Sequence, residues 1–82
     1  MNKIKVMFFA TIRQRAGAKF IEIEVPEEMH VQGLLDRLSE DIPDLREPLK
    51  TVVVAINREF APEDRVIPTN AEVALFPPVS GG

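Results

Sequence analysis

The sequence predicts an α+β domain in which a mixed sheet of four to five strands is covered on one face by one main helix. Three observations predict it. Short runs rich in β-branched and aromatic residues recur at the start, middle and end of the chain, and a single stretch between them carries apolar residues at helical spacing. The third is size: 82 residues leave room for one core, because a domain this small buries a little over ~60% of the surface its unfolded chain exposes. The apolar stripe of the helix must therefore be covered by a face of the same sheet.

Residues 3–9 alternate, with Ile4, Val6 and Phe8 on one side and Lys5, Met7 and Phe9 on the other. Both sides turn apolar toward the end, which predicts an interior strand covered on two faces, with Met7, Phe8 and Phe9 in the core. Residues 11–16 suffice for one short helical turn, with Ile12 and Ala16 four apart, and Gly17 supplies the turn that follows. Phe20, Ile21, Ile23 and Val25 alternate with Glu22 and Glu24. This predicts a strand with one wet face, ended by Pro26 and returning antiparallel to the first.

Val31, Leu34, Leu35, Leu38 and Ile42 form one helical stripe, while Gln32, Asp36, Arg37 and Glu40 lie off it. Gly33 inside this helix costs up to ~1 kcal/mol relative to alanine, and Pro43 stops it. His30 stands just before the stripe, placed to help the helix start or to face water. Residues 44–50, with Pro48 and a Leu45/Leu49 pair, predict a short turn or 3₁₀ segment. Residues 51–57 are rich in β-branched side chains and predict a buried strand. A tight reversal follows at residues 57–59, and Phe60 begins a brief partner strand. Residues 62–70 form a loop pinned to the core by Val66 and Ile67, and residues 72–76 are the final strand, with Val73 and Leu75 facing one way and Ala74 and Phe76 the other. The order strand, strand, helix, strand, short strand, strand is the β-grasp arrangement of ubiquitin-like domains.

Ten Lys and Arg against 13 Asp and Glu give a formal net charge of -3, which argues against a nucleic-acid grip or a polybasic membrane patch. The apolar runs, such as residues 52–56, are far too short to span a bilayer, and the first residues lack the apolar stretch of a signal peptide. A cytoplasmic location is expected. With no cysteine and one histidine, disulfides, thiolate nucleophiles and metal clusters are not expected. The carboxylates are scattered in the pattern of solvated surface, and Gly17 and Gly33 make no phosphate-binding fingerprint.

The last six residues differ from the rest, which divides the chain into a domain of residues 1–76 and a tail of residues 77–82. Pro77 and Pro78 cannot donate backbone hydrogen bonds, so sheet pairing is expected to stop after Phe76. Paired prolines favour an extended conformation. Fully extended, six residues reach roughly 20 Å, and Gly81 and Gly82, lacking Cβ atoms, fit a narrow channel in a partner. A frayed end is the ordinary alternative. The reactive group left in the chain is then the α-carboxylate of Gly82. A carboxylate resists nucleophilic attack until it is activated, usually as an acyl-adenylate, and the domain offers no ATP site, so a separate activating protein is implied.

With KVMFFA at residues 5–10, VAIN at residues 54–57 and above all EVALFPPVSGG at residues 72–82, the chain resembles, over its whole length, the small sulfur-carrying subunits of molybdopterin synthase. That resemblance implies a β-grasp fold and a non-catalytic donor subunit that binds no cofactor of its own. It implies that Gly82 is adenylated with ATP by a ubiquitin-activating-like adenylyltransferase and converted to a thiocarboxylate. The sulfur then passes to cyclic pyranopterin monophosphate in the large subunit of a heterotetramer, and two such donations build a dithiolene. By position, Gly82 bears the sulfur, Gly81 and Ser80 line the threaded tail, Phe76, Pro77, Pro78 and Val79 contact the partner, and Phe9 is a further interface candidate. Members of that family commonly carry Gly-Asp where this chain has Asn70-Ala71. Asn tolerates a left-handed backbone, while Ala71 lacks an acidic side chain that could touch the activating enzyme. The alternatives are a sulfur carrier for thiamine or another metabolite, a ubiquitin-like modifier attached to lysines, and an interaction domain with an inert tail.

Overall fold

In the computed structural model, which describes residues 1–78, five strands form one sheet in the order β2-β1-β5-β3-β4. β1 (Asn2–Phe8) pairs antiparallel with β2 (Phe20–Val25) and parallel with β5 (Glu72–Phe76), which runs antiparallel to β3 (Val53–Ile56). β4 (Glu59–Phe60) adds a two-residue edge to β3. The first and last strands are therefore neighbours at the centre, and the sheet is mixed.

The main helix, α2 (Val31–Asp41), buries the predicted stripe: Val31, Leu34 and Leu38 are fully enclosed and Leu35 nearly so. They join one core with Ile4, Val6 and Phe8 of β1, Val73 and Leu75 of β5, and Val54 and Ile56 of β3. Ile42 donates its N–H to the Leu38 carbonyl at 2.8 Å as the helix ends, and Pro43 permits no further turn. Two 3₁₀ turns, Pro43–Leu45 and Pro48–Thr51, then seat the buried Leu45 and Leu49. The second turn takes in Thr51, so the strand starts two residues later than the β-branched run predicts. The first helix, α1 (Ala10–Ala16), is longer than the single turn expected, because Ile12 is fully buried and anchors it. Gly17, at φ 75°, closes α1 by donating its N–H to the Arg13 carbonyl at 3.0 Å.

Two expectations fail on burial. Phe8 is core, but Met7 and Phe9 point to the opposite side of β1 and are half-buried. Among the described residues no element covers that second face, so apolar character on both sides of a strand here does not mean double burial. Val66 is 43% exposed while Ile67 is 2% exposed. Of these two side chains only Ile67 pins the loop to the core, and Val66 contributes a backbone bridge to His30. His30 precedes α2 with its side chain exposed and making no capping hydrogen bond.

Polar side chains close two joints. Asn2, 2% exposed, donates from Nδ2 to the Pro68 carbonyl at 2.9 Å and accepts at Oδ1 from the Asn70 N–H at 2.8 Å. Asn70 has φ 59°, the left-handed conformation that Asn tolerates. Ala71 beside it is 1% exposed and belongs to the core. In this chain the side chain at that position therefore faces inward.

The second joint is the reversal between β3 and β4. Ile56 pairs with Glu59 across a two-residue loop, and both loop residues have positive φ, 49° at Asn57 and 73° at Arg58. This is the dihedral pattern of a type I′ turn, which suits the twist of a hairpin and favours Asn followed by Gly. Asn57 fits. Arg58 occupies the glycine-favouring position at a cost of about 1–2 kcal/mol. The Asn57 N–H donates to the Glu72 carbonyl at 2.8 Å, and the Glu72 N–H donates to Asn57 Oδ1 at 2.9 Å, so the turn is tied to the start of β5.

Candidate docking face

The uncovered face of the sheet is divided by residue type along its strands. Because side chains alternate, the register that sends Val6, Phe8, Val73 and Leu75 to the core sends Lys5, Met7, Glu72, Ala74 and Phe76 to the open side. Pairing across β3 and β4 adds Val53, Ala55 and Phe60. At the end near Asn2 the face is charged: Lys3 lies opposite Glu24, and Lys5 lies between Glu22 and Glu72. Toward Phe76 it is apolar, and Lys5 Nζ sits 4.4 Å from the centroid of the Phe20 ring at the boundary.

The apolar end has relief. Phe9 continues from β1, donating its N–H to the Leu75 carbonyl at 3.2 Å, and its ring stacks on Phe76 with centroids 4.6 Å apart and planes 14° from parallel. The small side chains of Ala55 and Ala74 leave room for a groove floored by these two residues and Met7, walled by Phe9, Phe76 and Phe60, with Arg58 and Glu72 at its rim. A second groove shares Phe9, Phe60 and Phe76 and runs past Ala10 and Val53 to Pro77 and Pro78. Phe60 is 78% exposed although it belongs to a strand. A two-residue edge has nothing to fold over it.

Of the residues expected at a site, the structure brings Phe9, Phe76, Pro77 and Pro78 to one apolar strip. The ladder ends with Phe76 opposite Val53, just before the two prolines. Val79, Ser80, Gly81 and Gly82 lie outside the described residues. Sequence reasoning missed Phe60, Met7 and Arg58 as parts of this face. The available signal was a lone large aromatic directly after a tight reversal, where so short a strand cannot bury it.

Titration adds little here. Glu47 has its carboxyl held below the ordinary carboxylate range by the hydrogen bond and charge of Lys50, 2.7 Å away, but that pair stands at the second 3₁₀ turn and does not line the grooves. Among the described residues no group of three or more His, Cys, Asp or Glu side chains is placed to hold a metal, and no helix is long and apolar enough to cross a membrane. What the face offers is apolar surface for another protein to cover.

A five-stranded mixed sheet holding one main helix in its curve, with its first and last strands side by side, defines a ubiquitin-like β-grasp protein. The chain belongs to the ThiS family, whose model matches residues 6–82. It is 37% identical over 82 residues to the molybdopterin synthase sulfur carrier subunit of Chlamydomonas reinhardtii, with 98% of this chain and 99% of that one covered. Its fold is similar to that of a putative molybdopterin converting factor subunit 1 from Pyrococcus furiosus, at TM-score 0.86 and 30% identity over 96% of this chain and all of the other. It is equally similar to SAMP1 of Haloferax volcanii, a small archaeal modifier protein, at TM-score 0.86 and 28% identity over 99% and 100% of the two chains.

Proposed function

We propose that this chain is the sulfur-carrier subunit of molybdopterin synthase and that Gly82 carries the sulfur on its α-carboxyl group. The observation that carries this reading is the continuous apolar strip from Phe60 across Phe9 and Phe76 to Pro77 and Pro78. A partner that covers the strip is brought to the point where the chain leaves the sheet, and so to residues 79–82. Kinship with molybdopterin synthase sulfur carrier subunits supports the same reading.

The chemistry follows from the weakness of a carboxylate as an electrophile. A ubiquitin-activating-like adenylyltransferase binds ATP, and a Gly82 carboxylate oxygen attacks the α-phosphorus as pyrophosphate leaves. Sulfide then adds to the acyl-adenylate carbonyl carbon and AMP departs, giving the thiocarboxylate. Its sulfur anion is the nucleophilic form, as for thiolates generally. In the large subunit this sulfur attacks a carbon of cyclic pyranopterin monophosphate, and the new carbon–sulfur bond replaces a carbon–oxygen bond whose oxygen leaves with the electron pair. Hydrolysis of the acyl–sulfur bond leaves sulfur on the pterin and returns Gly82 as a carboxylate. Two rounds supply both dithiolene sulfurs, in the cytoplasm, within a heterotetramer of two large and two small subunits. In this scheme residues 77–82 act as the donor arm of the domain formed by residues 1–76, with Ser80 and Gly81 threaded into the partner and Val79 in contact with its entrance.

The test is the intact mass of the protein purified with its activating partner, which should rise by the exchange of one oxygen for one sulfur. A variant lacking Gly82 should lose dithiolene formation with its thermal midpoint nearly unchanged. Normal turnover by that variant overturns the reading. A second reading, a modifier joined to lysines of other proteins, draws on the similarity to SAMP1, and isopeptide-linked conjugates in cell lysates would favour it.

A further inference from the structure

We infer that Arg58 selects the docking partner by charge, its guanidinium pairing with a carboxylate on the molybdopterin synthase large subunit as that subunit covers Phe9, Phe60 and Phe76. The inference rests on the reading above for the identity of the partner. Its own support is local. Arg58 is exposed at the rim of the groove that these aromatics wall. The turn beneath it is held to β5 by the paired hydrogen bonds between Asn57 and Glu72, so the side chain departs from a fixed point.

The backbone at this position calls for a different residue. At φ 73° glycine is the favoured occupant, and a long cation kept against that preference points to use of its side chain. Among the described residues Arg58 makes no ion pair within 4.0 Å, whereas Lys5, the nearer of the other cations on this face, sits over Phe20 and is flanked in register by Glu22 and Glu72. On a chain of net charge -3, the apolar groove is thus edged by a cation available to an incoming group. An apolar centre with a charged rim is the anatomy of a specific interface. Guanidinium offers a planar pair of donors matched to a carboxylate. Rim charges act chiefly on association rate and on its dependence on salt.

The experiment measures association of the full-length carrier with the purified large subunit at low and high ionic strength, for wild type, Arg58→Gly, Arg58→Lys and Arg58→Glu. Arg58→Gly relieves the left-handed strain, so its thermal midpoint should equal or exceed that of wild type, and misfolding cannot account for weaker binding. At low salt it should bind about 1.4-fold to fivefold more weakly, the range of an exposed ion pair, mainly through slower association. Arg58→Lys should keep most of the affinity, Arg58→Glu should lose more than Arg58→Gly, and the differences should shrink as salt screens the pair. Wild-type association rates in Arg58→Gly and Arg58→Glu at low salt overturn the inference and leave the partner assignment standing. Failure of the wild-type chain to bind the large subunit overturns the partner assignment and this inference with it.

Discussion

Replacing Phe60 with alanine separates a docking residue from a folding residue. Phe60 remains 78% exposed, so folding takes only about a fifth of its surface out of water. Full burial of a Phe side chain contributes about 1.5–3 kcal/mol. A fifth of that is about 0.3–0.6 kcal/mol, the expected loss of folding stability. If the large subunit covers the remaining four-fifths, docking gains about 1.2–2.4 kcal/mol from this ring. Alanine keeps a little of it, so the dissociation constant should rise about fivefold to thirtyfold. Phe8 is the internal control, since it is 1% exposed on the opposite face of the sheet, and Phe8→Ala should cost about 3–5 kcal/mol of stability. Denaturant unfolding of both variants, with calorimetric titration of Phe60→Ala into the large subunit, gives both numbers. Wild-type affinity in Phe60→Ala, or a stability loss matching that of Phe8→Ala, refutes the reasoning.

Three further outcomes are expected. Asn2→Ala removes the buried side chain and leaves both its partners, the Pro68 carbonyl and the Asn70 N–H, short of hydrogen bonds, and should cost about 1–3 kcal/mol in chemical denaturation; a smaller loss would mean that water replaces the side chain. Gly33→Ala places a Cβ 3.3 Å from Met29 Cγ, and because methionine is adaptable, the gain in helix propensity should prevail and raise stability by about 0.5–1 kcal/mol. A lowered melting midpoint would show that Met29 cannot move aside. Glu47, whose carboxyl is lowered by Lys50, lends any stability above the ordinary carboxylate range and loses it as pH falls through the lowered value. The pair is exposed to solvent and screened, so the acid limb of the stability profile of Glu47→Gln should superimpose on that of wild type.

The order of elements was readable because each strand and the main helix states its own period: alternation at Ile4, Val6 and Phe8, and the stripe from Val31 to Leu38. The chain entry into β5 was also readable, since Asn70 takes the left-handed backbone that its side chain permits. The open face was harder to see. Met7 and Phe9 carry the same hydrophobicity as core residues, and nothing in a strand's own sequence says whether a second layer exists to cover them. The same ambiguity separates Val66 from Ile67, which are chemically alike but on opposite sides of an extended segment. Arg58 was obscured for another reason: its significance lies in a positive φ that arginine does not advertise. Pro77 and Pro78 stood out by their own backbone chemistry, while the role of Phe9, Phe76, Pro77 and Pro78 as partner contacts came by position from the family the chain resembles; their meeting in space depends on the parallel pairing of β1 with β5, which sequence pattern alone does not specify.

That parallel pairing has a mechanical corollary. β5 lies between β1, which runs in the same direction, and β3, which runs opposite. Traction applied to the chain past Pro78 is transmitted lengthwise into a strand gripped on both flanks, so the rungs on either side must slide and break together instead of opening one at a time from an edge. An assembly that draws the chain inward by this end therefore hauls against the strongest direction of the sheet, and the domain can be towed without being unravelled.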